Sequence, residues 1–232
     1  MRAEPGDPGS QSRESDERIA AATSAAGAGG SVFVTVGTTR FDALVEVVDS
    51  RECRAALKQR GFTSVVVQRG RGTYKPAEGD PDSTGVTVTS FEFAPSMAPY
   101  IEQASLVISH AGSGSIFEAL RASKRLVVVV NGALMDNHQR ELAGALADRH
   151  HLVQTVPESL VATVKEMDLE GLVPYPPPEA EKQHMVQAAP GAGSTWCRQH
   201  LVQAVLASLA CTVREMDFEK DARALNEFLG FA

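Results

Sequence analysis

Leu106–Val130, LVISHAGSGSIFEALRASKRLVVVV, decides the fold. Leu106–Ser109 is a short apolar run that stops at the small residues Gly112-Ser-Gly-Ser115. A helical stretch follows from Ile116 to Ala122, and Leu126–Val130 is the most apolar strand of the chain. A strand apolar at every position is buried on both faces, and two such strands joined through a helix form a parallel crossover. The alternation continues outward in both directions. Upstream, Val32–Val36 stops at Gly37-Thr38-Thr39, and a helical pattern spans Asp42–Arg60 with a break near Asp49-Ser50. Strand Ser64–Gln68, a Gly/Pro-rich loop Arg69–Ser83, strand Val86–Phe91 and helix Ser96–Gln103 come next. Downstream lie helix Asp136–Ala147, strand Leu152–Thr155 and helix Glu158–Met167. The pattern predicts an α/β fold over residues 31–172, a doubly wound parallel sheet with helices on both faces.

The 232 residues amount to about one and a half domains at roughly 150 residues each, enough for one core and short of two full lobes. With 22 Lys and Arg against 29 Asp and Glu the net charge is −7. That balance argues against a nucleic-acid binder, whose affinity comes largely from cations displacing counterions. Three cysteines without a Cys-x-x-Cys pair form neither a disulfide framework nor a zinc knuckle, which points to a reducing compartment. Residues 1–30, rich in Gly, Ser, Ala and acids, read as a disordered tail without a secretory or organellar leader. No apolar run approaches the roughly 18 to 20 residues that span a bilayer, so the chain reads as cytosolic.

Three polar turns carry the candidate chemistry. At Gly112–Ser115 a strand feeds a helix whose first N–H groups lack intrahelical partners and whose dipole is positive, a setting suited to a diphosphate. Gly112 and Gly114 permit close approach, Ser113 and Ser115 can donate, and Glu118 one turn on can accept from a ribose hydroxyl. From spacing alone, a phosphate-binding turn and an ordinary serine-capped turn stay equally open. The second turn is Met135-Asp-Asn-His-Gln-Arg140 and the third is Gly37-Thr38-Thr39. All three follow strands and belong to one carboxyl edge, where open α/β sheets bind ligands. An NAD fingerprint is disfavoured, because Phe117 stands at the third glycine position and the next strand ends at Asn131 instead of an acid. There is no P-loop. Asp80-Pro-Asp82 resembles a metal-binding Asp-x-Asp but reads as a solvated turn. His150-His151 are expected to meet a helix C-terminal dipole, and His110 to be a structural hydrogen-bonding residue.

Val34-Thr-Val-Gly-Thr-Thr39 with Phe41-Asp42, Ser109-His-Ala-Gly-Ser-Gly-Ser115 with Glu118, and Asp136-Asn-His-Gln139 together resemble the glycosyltransferase family 28, the MurG-like transferases. The form resembled is the catalytic subunit of N-glycan precursor assembly, and the likeness spans Val32 to Leu172. It implies a Rossmann-like lobe equivalent to the carboxyl-terminal half of a GT-B glycosyltransferase. The other half, with the acceptor site and membrane anchor, would be a separate Alg14-like membrane subunit that provides the membrane contact. The implied reaction transfers GlcNAc from UDP-GlcNAc to dolichyl-diphosphate-GlcNAc at the cytosolic face of the endoplasmic reticulum. It inverts the anomeric centre and uses no metal or cofactor. Gly112, Ser113, Gly114 and Ser115 would hold the diphosphate and Glu118 the ribose. Asp136, Asn137, His138 and Gln139 would face the sugar, and Gly37, Thr38 and Thr39 would close the site. The base is open between His110 and a group on the partner lobe.

The end of the chain departs from that pattern. Residues 173–217 read as a Pro-rich linker and insertion, and 218–232 as a C-terminal helix available for partner docking. Thr163-Val-Lys-Glu-Met-Asp-Leu-Glu170 returns as Thr212-Val-Arg-Glu-Met-Asp-Phe-Glu219, bracketing the insertion. The alternative is therefore a non-catalytic UDP-sugar-binding or regulatory subunit.

Overall fold

Runs of Val, Ile and Leu without alternating polar residues need cover on both sides, and the chain supplies it. The computed structural model describes residues 29–80, 83–132 and 137–176, with Asn137, His138 and Gln139 described by backbone alone. The strands are β1 (Gly30–Thr35), β2 (Phe62–Gln68), β3 (Thr87–Phe91), β4 (Leu106–His110), β5 (Arg125–Val129) and β6 (Val153–Thr155). They form one six-stranded sheet in the order β3-β2-β1-β4-β5-β6, every neighbouring pair parallel. The helices are α1 (Asp42–Asp49), α2 (Arg51–Gln59), α3 (Ala98–Gln103), α4 (Ser113–Arg121), α5 (Asn137–Ala147) and α6 (Leu160–Glu166). A 3-10 turn, Pro157–Ser159, leads into α6.

Alternate strand residues serve two cores. Val32, Val34, Val67, Ile108 and Val127 pack with Leu44 and Val48 of α1, Leu57 of α2 and Leu160 of α6. Phe33, Val107, Leu126 and Val128 pack with Ile101 of α3, Ile116 and Leu120 of α4 and Leu146 of α5. Each such side chain contributes about 1.5–3 kcal/mol when fully buried, so this two-sided burial selects the sheet. The helices after β1 lie on one face and the helix after β4 on the other. The strand order therefore reverses between β1 and β4 and opens a crevice at their carboxyl ends.

The predicted break in the first helix falls at Ser50, whose ψ of 146° is extended and whose hydroxyl accepts the Cys53 N–H at 3.2 Å to cap α2. Two expectations need correction. Helix α4 begins at Ser113, three residues before the predicted Ile116, because Ser and Gly have weak helix propensity and read as turn. Its N-cap is Gly112, and no side-chain capping bond is formed among the described residues, so the serine-capped turn is not what is built. His151 meets the end of α5 through its backbone N–H, which bonds to the Leu146 carbonyl at 3.0 Å, while its side chain turns to the returning chain. It is buried, its Nδ1 lies 3.0 Å from the Val173 carbonyl, and its ring meets Tyr175 edge-on at 5.3 Å. His150, with φ of 59°, ends α5 in the left-handed conformation and its carbonyl accepts the Val173 N–H at 2.7 Å. The chain thus returns from α6 to lay Tyr175 on Phe117 of α4, with ring centroids 5.8 Å apart.

Strand β1 begins at Gly30, inside the predicted tail. The rest of that tail before Gly29, and the predicted linker and last helix from Pro177 onward, lie outside the described residues.

Candidate functional site

The crevice is built from β1 and β4 outward. After β1 the chain turns at Gly37, whose φ of +63° is costly for any residue with a Cβ. Thr39 donates its hydroxyl to the Val36 carbonyl at 2.8 Å, and its N–H reaches the same oxygen at 3.3 Å. Thr38 is exposed beside it. Thr39 therefore offers a ligand only its oxygen lone pairs, whereas the Thr38 hydroxyl stands at the surface.

His110 ends β4 and is 7% exposed. A Cβ on Gly37 would lie 2.6 Å from its Cε1, and one on Gly112 2.2 Å from its Nε2. The imidazole thus fills the space between the two turns and brings them together. Both glycines are required by His110 itself, where the spacing alone suggests that Gly112 makes room for a ligand. Gly114 differs: a Cβ there meets nothing within 4 Å, so its side faces open space. Burial pushes the His110 pKa below that of an ordinary histidine, and the Thr35 backbone pulls weakly the other way. Its buried Nδ1 makes no well-formed hydrogen bond among the described residues.

Helix α4 points its first turn into the same edge. Ser113 and Gly114 are exposed and Ser115 is half-buried. The Ile116 N–H returns to the Gly112 carbonyl at 3.1 Å, which leaves the earlier N–H groups of the turn without an intrahelical acceptor. Glu118 lies one turn on, exposed at its surface, yet burial by the surrounding protein raises its pKa while Arg121 lowers it. Arg121 lies 5.5 Å over the Phe117 ring.

Next along the edge, β5 leads toward α5, whose first residues are Asn137, His138 and Gln139. The sheet order thus sets α5 after the strand that neighbours β4; residues 133–136, Asp136 among them, lie outside the described residues. Arg140, the last member of the cluster, lines a cleft of about 500 Å³ with Gly132, Gln154, Thr155, Val156 and Ser159.

Asp80 behaves as a turn residue. Its carboxylate takes the N–H groups of Thr84 and Gly85, each at 2.8 Å, and Asp82 lies outside the described residues.

Two residues that shape this edge had no sequence signal. Gln68, at the end of β2, is 1% exposed and bonds to both sides of the Gly37 peptide. Gly70, with φ of +56°, passes under the first turn so closely that a Cβ would lie 2.5 Å from the Thr39 carbonyl. A glutamine at a strand end reads as solvent-facing, and a glycine in a Gly/Pro-rich loop as spacer. Only the β1–β2 pairing reveals either role.

A doubly wound lobe with an uncapped helix N-terminus at the reversal of its strand order has the kind of crevice in which open α/β sheets bind ligands. The profile of the glycosyltransferase family 28 C-terminal domain matches residues 31–190, and the chain belongs to that family. Among its relatives is the UDP-N-acetylglucosamine transferase subunit ALG13 of Yarrowia lipolytica, 41% identical over 138 residues, 60% of this chain and 70% of that protein. The human protein of the same name is 44% identical over 122 residues, 52% of this chain, but this chain spans only 10% of its length. A solution structure of ALG13 superposes with a TM-score of 0.52 at 29% identity, covering 67% of this chain and 94% of the other. The chain is thus an Alg13-like member of the family, and the doubly wound fold is shared.

Proposed function

We propose that this chain is the donor-binding, catalytic half of a two-protein transferase that passes GlcNAc from UDP-GlcNAc to dolichyl-diphosphate-GlcNAc. The observation that carries the reading is the meeting of the Gly37–Thr39 turn and the open first turn of α4 across His110, at the carboxyl crevice of β1 and β4.

In this reading the diphosphate lies against Gly112–Ser115, and Glu118 accepts from the ribose. Charge grows on the departing UDP as the glycosidic bond breaks. The fixed N–H groups of α4 and the Ser113 and Ser115 hydroxyls oppose it without reorganising. Removing one such donor typically costs about 3 kcal/mol of transition-state stabilisation. The diphosphate charge is met by these donors, so no step is assigned to a metal. Asp136, Asn137, His138 and Gln139 follow the adjacent strand and take the sugar. The acceptor hydroxyl attacks the opposite face of the anomeric carbon, which inverts it.

His110 packs on two backbones, and we assign it the role of spacer. The base then belongs to the Alg14-like membrane subunit that brings the acceptor. Membrane contact is assigned to that partner, at the cytosolic face of the endoplasmic reticulum; among the described residues of this chain no helix is long and apolar enough to cross a membrane.

The test is co-expression with the membrane subunit, pull-down, and assay of GlcNAc transfer. A complex whose transfer is lost in Glu118→Ala supports the reading. UDP-GlcNAc binding without a complex favours the regulatory alternative, and a turnover unaffected by Glu118→Ala removes the site assignment.

A further inference from the structure

Gln68 occupies the last position of β2, directly after Val65, Val66 and Val67, which are apolar and pack into or against the cores. A buried amide is costly there unless its hydrogen-bonding capacity is met. All four of its places are filled. Nε2 donates to the Gly37 carbonyl and to the Glu92 carbonyl, each at 2.8 Å. Oε1 accepts the Gly37 N–H at 3.0 Å and the Thr35 hydroxyl at 2.6 Å. One side chain thus grips both the N–H and the C=O of a single glycine whose φ is +63°. The same side chain holds the turn that follows β3, where Arg69 also pairs with Glu92 at 2.6 Å.

The contacts run on in the order of the strands. Glu92 after β3 meets Gln68 of β2; Gln68 holds Gly37 after β1; Gly37 packs on His110 of β4; and His110 packs on Gly112, the N-cap of α4. Four neighbouring strands therefore present their carboxyl-end turns as one connected rim. An amide with two donors and two acceptors fixes the orientation of a peptide.

We propose that Gln68 is a positioning residue for the nucleotide sugar, locking the turn after β1 and the turn after β3 into one preorganised rim. The proposal rests on the reading of the Gly37–Thr39 turn as part of the UDP-GlcNAc site. Gln68 acts through Gly37 and Glu92 and touches no reacting atom.

Gln68→Glu keeps the shape and both acceptors but turns the two donors into a carboxylate oxygen facing two carbonyls. In the complex with the membrane subunit, the KM for UDP-GlcNAc should rise roughly tenfold while kcat stays within about threefold, because the rim positions the donor and leaves the chemistry intact. The defect should ease as pH falls, since the introduced carboxyl regains one donor when it is protonated. Binding of UDP to the isolated 232-residue chain, followed by calorimetry below its melting temperature, should weaken by a similar factor.

Ser50→Ala, which removes the α2 cap away from the rim, is the control for plain destabilisation and should leave the UDP affinity unchanged. Should Gln68→Glu not fold, Thr35→Val removes one donor into Oε1 and should weaken UDP binding by about threefold. Equal UDP affinity in a folded Gln68→Glu, or an equal loss in Ser50→Ala, overturns the inference. Absence of UDP binding by the unaltered chain contradicts the donor-site reading itself, so the two failures are told apart.

Discussion

His110 carries a ring buried between two glycine backbones, and burial there favours its neutral form. A histidine whose folded pKa lies below its unfolded value near 6.5 gives stability that is present above that value. The stability is lost as pH falls through the folded pKa. An NMR titration should therefore show His110 protonating below pH 6.5, with melting temperature falling over the same range; a midpoint above 6.5 would contradict the packing. Glu118 behaves in the opposite sense. Its raised pKa means that ionisation at neutral pH costs the folded state something, so stability declines as pH rises from about 4.5 through the folded pKa. Glu118→Gln is expected to melt no lower than the unaltered chain, yet to bind UDP-GlcNAc more weakly. Differential scanning calorimetry with a binding titration checks both, and a lower melting temperature would place the residue in the fold instead of the site. At this scale the turns were legible as Gly- and Ser-rich interruptions of apolar strands. The partner that demands Gly37 and Gly112 was not, since nothing in the spacing aims His110 at both.

Helices α1 and α2 and the loop beyond β2 are tied by a buried ion pair. Arg54 and Asp49 are bonded with side chains 1% and 7% exposed, and Asp49 also accepts the Tyr74 hydroxyl at 2.7 Å and the Ala77 N–H at 3.2 Å. Donation to Asp49, reinforced by burial, pushes the Tyr74 pKa up to about 12. Asp49→Ala removes the carboxylate that Arg54, the Tyr74 hydroxyl and the Ala77 N–H share, and urea denaturation should show a loss of about 3 kcal/mol. A loss below about 1 kcal/mol, the range of surface pairs, would show the pair to be solvent-relaxed.

Gly70→Ala combines a positive φ with a clash against the Thr39 carbonyl. A cost of about 1–3 kcal/mol together with weakened UDP binding is expected, and an alanine variant of unchanged affinity would separate this loop from the rim. Element existence was readable because β1, β4 and β5 are dominated by apolar residues and the segments between strands carry helical periodicity. The Asp49-Ser50 break was readable because serine caps. The start of α4 was not, because its first turn is made of residues that favour caps and turns.

Across the molecule, the alternation of strand and helix carried the doubly wound fold, and the family profile and the ALG13 structure agree with it. Strand order is a different matter. That β1 lies between β2 and β4, so that the sheet reverses beside the glycine turns, follows from three-dimensional packing and not from any local pattern. The same holds for the return of Tyr175 onto Phe117. The described residues form one α/β lobe, and the proposed function supplies the other half of the enzyme from a partner.

The most direct test of that claim is transfer of labelled GlcNAc from UDP-GlcNAc to dolichyl-diphosphate-GlcNAc by this chain co-expressed with the proposed Alg14-like membrane subunit. The account predicts a chitobiosyl lipid with a β1,4 bond, formed only when both proteins are present and lost with Glu118→Ala. A stable complex that binds UDP-GlcNAc and forms no such product would contradict it.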